Sequence, residues 1–127
     1  MQKTIINTDQ APQAIGSYSQ AVRAGNQVYI SGQIPLNPES GEIMNADFAT
    51  EAKQVFDNLS AIAKAAGGDL SNIVKLTVYL TNLDDFATLN QTMESYFAQP
   101  FPARAAVQIS ALPKGSTVEV DAIMSFD

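Results

Sequence analysis

Between Asp47 and Thr81 the hydrophobic pattern changes period. Phe48, Ala52, Val55, Leu59, Ile62 and Ala66 recur at alternating gaps of four and three, the spacing of one helix face. Gly67-Gly68 then stops the helix. In 73–81 (IVKLTVYLT), Val74, Leu76, Val78 and Leu80 point one way, and Lys75, Thr77, Tyr79 and Thr81 the other. That is a strand. A one-faced helix followed by a one-faced strand constrains the fold strongly, because each must cover its apolar side with the other kind of layer.

The remaining segments extend this pattern. Residues 2–6 (QKTII) read as a first strand. Residues 19–24 and 27–32 read as two more, joined at Gly25-Asn26, which tolerate the positive φ of a tight hairpin. Asp47 caps the first helix, with Glu51 in its favourable first turn. Asp84 or Asp85 caps a second, whose buried stripe is Phe86, Leu89, Met93 and Phe97, and Pro100 and Pro102 end it. Residues 103–109 and 117–126 are the last strands, linked through Leu112-Pro113-Lys114-Gly115. The order βββαβαββ predicts an α+β fold: a mixed, mostly antiparallel sheet with two helices packed on one face. The 127 residues suit one domain, 1–127.

Composition removes several chemistries. There is no cysteine and no histidine, so disulfides, thiolate nucleophiles, Cys/His zinc sites and Ser-His-Asp triads are excluded. No stretch reaches the ~20 apolar residues of a membrane span. The start, MQKTIINTDQ, lacks the apolar core of a secretory signal, and the expected location is the cytoplasm. The sequons at Asn58 and Asn90 are then chance matches. The net charge is −6, and the seven basic residues are scattered. Nucleic-acid binding is not expected without a basic patch.

Within the apolar segment FPARAAV stands Arg104, one of two arginines in the chain. Alternation puts Arg104, Ala106 and Gln108 on one side of their strand. In the last strand, Glu119 and Asp121 point away from Val118, Val120, Ala122 and Met124. If the apolar sets of both strands, Ala105, Val107 and Ile109 in the first, meet the helices, Arg104 and Glu119 share the helix-free face, and as antiparallel neighbours the two strands would let them approach. Two readings of Arg104 follow: a structural ion pair with Glu119 or Asp121, or a clamp for an anionic ligand, since a guanidinium matches a carboxylate at two points. Glu119 is either a solvated carboxylate or a general acid/base acting through water. The apolar parts of that face favour a partner subunit, which would dry Arg104.

Other candidates are Ser31-Gly32 at a strand end, Tyr18 in a Gly-Ser-Tyr-Ser loop and Asn90 on the second helix. Each also has an ordinary reading as a turn, a packed aromatic or a solvent-facing amide. Gly67-Gly68 follows a helix and so is not a phosphate loop. Lys53, Lys64 and Lys75 show no nucleophile pattern.

Taken together, AIGSYSQAV, VYISGQIPLNPESGEI, NLDDFATLN, FPARAAV and VEVDAI resemble the RidA (YjgF/UK114) family of reactive-intermediate deaminases, over about Thr4 to Ile123. The resemblance implies a chorismate-mutase-like fold and homotrimers with sites between subunits. It implies hydrolysis of 2-imino acids, tautomers of enamines such as 2-aminoacrylate, to 2-keto acids and ammonia, with no metal or organic cofactor. Carried over, Arg104 holds the substrate carboxylate and Glu119 positions or activates the attacking water. Tyr18, Ser31, Gly32 and Asn90 line the pocket, and a backbone group near Ala106 orients the substrate. The chain departs from the family pattern at Ala106, where many members have Cys, at Ser17, where Pro often precedes the Tyr, and at Asp121, a frequent Glu. The competing function is a non-catalytic trimeric sensor of 2-keto acids or other small carboxylates. RNA cleavage, a label carried by some relatives, fits the charge balance poorly.

Overall fold

The computed structural model describes residues 2–127. Its elements run β1 (Lys3–Ile6), β2 (Ala21–Ala24), β3 (Gln27–Gln33), α1 (Phe48–Ala65), β4 (Ile73–Leu80), α2 (Phe86–Tyr96), β5 (Ala103–Gln108) and β6 (Val118–Ser125). The α+β order expected from the sequence is the one observed. Asp47 caps α1, its carboxylate accepting from the Thr50 N–H at 2.8 Å. Gly67, at φ +96°, turns the chain out of the helix. Gly25, at φ +64°, makes the β2–β3 hairpin, in which Ala24 faces Gln27.

All six strands form one sheet in the order β1-β2-β3-β6-β4-β5. Every pairing is antiparallel except β4 with β5. The helices cover one face. Val28 and Ile30 of β3, Leu76, Val78 and Leu80 of β4, and Val118 and Val120 of β6 bury there against Val55, Phe56, Leu59 and Ile62 of α1 and Leu89 of α2. Such close-packed burial is the main stabilising term of a domain this size.

Three expectations change. First, β5 and β6 are not neighbours, because β4 lies between them. The short 109–117 link crosses over β4, leaving β5 as an edge strand. Second, Val74 is not on the buried side. The register slips between Ile73 and Lys75, an extra residue that turns Ile73 inward and leaves Val74 47% exposed. Third, neither Asp84 nor Asp85 supplies a capping side chain to α2. Asn82 accepts from the Asp84 N–H at 2.9 Å and opens a 3-10 turn that leads into the helix.

Glu51 lies in the first turn of α1 as expected and has a further role. It is 3% exposed, and its two oxygens accept from the N–H and hydroxyl of Thr117 at 2.9 and 2.8 Å. It ties the first turn of α1 to the start of β6. No helix among the described residues is long and apolar enough to cross a membrane.

Candidate functional site

The strand register decides where the candidate residues point. Leu76 pairs with Ala122 on one side and with Arg104 on the other, and Val78 pairs with Val120 and with Ala106. Paired residues share a face. Arg104 and Ala106 therefore lie on the helix-covered face, whereas Glu119, paired with Tyr79, lies on the helix-free face. The expectation that Arg104 and Glu119 meet on one helix-free face is wrong. It assumed that Ala105, Val107 and Ile109 meet the helices, whereas Ala105 and Val107 are exposed, and it placed β5 beside β6, where β4 intervenes.

Arg104 instead curls over α2. Its Nη1 donates to Asn90 Oδ1 at 2.6 Å and approaches Met93 Sδ at 3.3 Å. Its guanidinium carbon sits 5.0 Å from the centre of the Phe86 ring, a cation–π contact. None of these partners is a carboxylate, so the ion-pair reading with Glu119 or Asp121 also fails. Asn90 and Phe86 orient the fork while leaving its other N–H groups for an anion. Arg104, Asn90, Phe101 and Pro102 line a groove of about 430 Å³ at the sheet edge.

A separate cavity of about 670 Å³ gathers Tyr18, Ser31, Gly32, Lys114 and Glu119. A bulge builds it. Ile30 faces Ala122 and Gln33 faces Val120, so β3 carries one residue too many at Ser31-Gly32. The bulge presses the Gly32 backbone against Glu119, and a Cβ there would stand 2.5 Å from Glu119 Oε2. Only glycine permits that approach. Ser31 donates its hydroxyl to the Ser19 carbonyl at 2.6 Å and its N–H to the Gln20 carbonyl at 3.0 Å. The wall of the cavity is the loop before β2. Tyr18 stands on it half exposed, its hydroxyl accepting from the Ile15 N–H at 3.3 Å.

Electrostatics distinguish Glu119. Partial burial pushes its carboxyl above the ordinary glutamate range, and the negative charge of Asp121 two residues on adds to the shift. Asp121 itself accepts from the Tyr79 hydroxyl at 3.1 Å. A carboxylate held this way is a better proton acceptor than a solvated one.

The structure thus divides the candidates: Tyr18, Ser31, Gly32 and Glu119 in one cavity, Asn90 and Arg104 in another. Ala106 lines neither. It is half-buried beside Val78. Two supporting residues escaped the sequence reading. Gln20 is 2% exposed, and its amide binds Thr8, Ala11 and Pro12, fixing the loop that carries Tyr18. Nothing in its local pattern signals this. Glu51 did leave a signal, since it falls three residues after Phe48 and four before Val55, on the buried stripe of α1.

The same fold recurs in known proteins. Residues 8–125 match the family described as Endoribonuclease L-PSP. The crystal structure of RidA from an Antarctic Psychrobacter superposes with a TM-score of 0.94 at 51% identity, covering 97% of this chain and 99% of that one. This chain belongs to the RidA family. Human 2-iminobutanoate/2-iminopropanoate deaminase, another relative, is 50% identical over 121 residues, 95% of this chain and 88% of its own. Among further RidA-family structures, Escherichia coli TdcF, solved with bound serine, gives a TM-score of 0.93 at 42% identity over 98% of this chain and 99% of its own.

Proposed function

We propose that the protein hydrolyses 2-imino acids such as 2-iminobutanoate and 2-iminopropanoate to 2-keto acids and ammonia, in sites shared between copies of the chain. The observation that carries this reading is Arg104. Its guanidinium is oriented by Asn90 and Phe86 yet bonded to no carboxylate, as a receptor for an acid must be. The deaminase relatives at 50% identity support the same chemistry.

The reaction suits these residues. Arg104 takes the substrate carboxylate as a two-point clamp. Glu119 accepts a proton from water while the water oxygen bonds to the imine carbon, giving a carbinolamine. Glu119 passes that proton to the nitrogen, and as the C–N bond breaks and ammonia leaves, Glu119 takes the hydroxyl proton so that the C=O forms, then releases it to solvent. The protonated imine is already electrophilic, so positioning one water supplies much of the acceleration. Tyr18, Ser31 and Gly32 line the Glu119 end of the site.

Within one chain, Arg104 and Glu119 lie on opposite faces of the sheet with β4 between them. A site using both needs two copies, the sheet edge of one meeting the Glu119 cavity of the next. Two unlike surfaces in contact make a head-to-tail interface, which closes as a ring when the rotation between copies divides a full turn; the ring proposed is a homotrimer. The helix-free face suits such a contact, because it exposes Ile5, Tyr29 and Val107 at 56%, 46% and 44%.

The test couples the protein to a threonine dehydratase and follows 2-ketobutyrate. Wild type should accelerate its release, while Arg104→Ala and Glu119→Gln should each fail. Assembled together in equal amounts, the two inactive variants should recover about a quarter of the turnover, because one site in four joins an intact arginine to an intact glutamate. No recovery would place both residues' work within single chains. Stoichiometric binding of a keto acid with no acceleration by wild type would favour the sensor instead.

A further inference from the structure

Each of the two half-sites carries one cation. Arg104 lines the edge groove and Lys114 lines the larger cavity. Lys114 holds a left-handed backbone, φ +57° and ψ +25°. It is the one described non-glycine residue with positive φ, and the next residue, Gly115, is left-handed too, at φ +68°. A lysine there carries a backbone cost that glycine would not. The strained turn sets the lysine at the rim of the cavity that holds Glu119. No hydrogen bond from its ammonium to a protein group is found among the described residues, and the charge acting on Glu119 is that of Asp121. The ammonium is therefore not consumed as Glu119's counter-ion.

Building on the shared-site reading above, we propose that Lys114 forms a second anion subsite, and that the preferred substrates include 2-imino acids whose side chain ends in a carboxylate. Arg104 holds the carboxylate beside the imine carbon, and Lys114 meets the distal one. Two cations at opposite ends of one assembled site call for two anions on the ligand. In a chain of net charge −6, a dianion would otherwise be repelled. The cavity, at about 670 Å³, leaves ample room for a five-carbon diacid beside the attacking water. The lining at Pro12, Ile15, Ile34 and Leu36 offers no other positive group for a distal carboxylate.

The experiment compares 2-iminoglutarate with 2-iminobutanoate, each generated in situ by an amino-acid oxidase with catalase, as the ratio of their kcat/KM values. Lys114→Met should lower that ratio at least about tenfold, the worth of one charge-assisted hydrogen bond, and Lys114→Arg should restore most of it. A ratio unchanged in Lys114→Met overturns the subsite and leaves the deaminase reading intact. Calorimetry with 2-oxoglutarate and 2-oxobutanoate separates the two claims. If 2-oxoglutarate binds more tightly and Lys114→Met removes the advantage, the subsite stands even if no imine is turned over. Equal binding of both acids by wild type overturns it.

Discussion

Replacing Gly32 with alanine probes the geometry of the cavity directly. The added Cβ would lie 2.5 Å from Glu119 Oε2, 2.9 Å from its carboxyl carbon and 3.3 Å from its Cγ. Ordinary contact begins near 3.4 Å, so the oxygen must retreat by about 0.9 Å and the carboxyl carbon by about 0.5 Å. Turning the carboxylate about its last bond cannot achieve both, because the carboxyl carbon lies on that axis; the side chain must swing from Cγ. The backbone of Gly32 has no positive φ, and the clash is with the end of a flexible side chain, so folding should be nearly unaffected. Catalysis should not be. A misplacement of ~1 Å in a positioned group costs on the order of 100-fold, or about 2.7 kcal/mol of barrier. Gly32→Ala should show a wild-type urea midpoint, a KM within about twofold, since Arg104 still holds the acid, and a kcat roughly 100-fold lower. A kcat close to wild type would refute the claim that Glu119 acts from its present position. A broken fold would refute the claim that the side chain is free to yield.

Three further perturbations follow. Arg104→Lys keeps the charge but loses the fork, and should lower kcat/KM roughly 10- to 100-fold in steady-state assays while assembly, followed by light scattering, persists. Burial and Asp121 raise the Glu119 pKa, so the acid limb of the rate profile should lie above the ordinary carboxylate range and vanish in Glu119→Gln. The stability effect has the opposite sense: with the folded value raised, Glu119's contribution is present below its unfolded pKa and is lost as pH rises through the folded one. Glu119→Gln should therefore raise the urea midpoint at pH 8 and leave it unchanged well below pH 4. Glu51→Ala leaves the part-buried Thr117 N–H without its partner and should cost about 2 kcal/mol in urea unfolding; an unchanged midpoint would mean that water replaces the carboxylate.

Much of the architecture was legible because helix and strand periods are local. The Asp47 cap, the α1 stripe, the Gly67 stop and the Gly25-Asn26 hairpin each depend on residues a few positions apart, where backbone sterics and short-range hydrogen bonds act. The residue types at the site were legible too, since an arginine among alanines and a carboxylate opposite a row of apolar residues stand out against the alternation. A one-residue bulge is harder to read. Val74 and Ser31-Gly32 look like ordinary strand positions until the partner strand shows which residue is extra.

The sequence by itself determined the order of elements, the apolar side of α1 and β6 and the absence of thiol and imidazole chemistry. Only the tertiary structure decided that β6 lies between β3 and β4 and that β4 separates β6 from β5. That placement put Arg104 on the helix side at the sheet edge and Glu119 on the far face. Alternation records that two sides of a strand differ. It cannot record which strand lies alongside, because pairing is chosen by burial summed over the whole sheet rather than by any one segment.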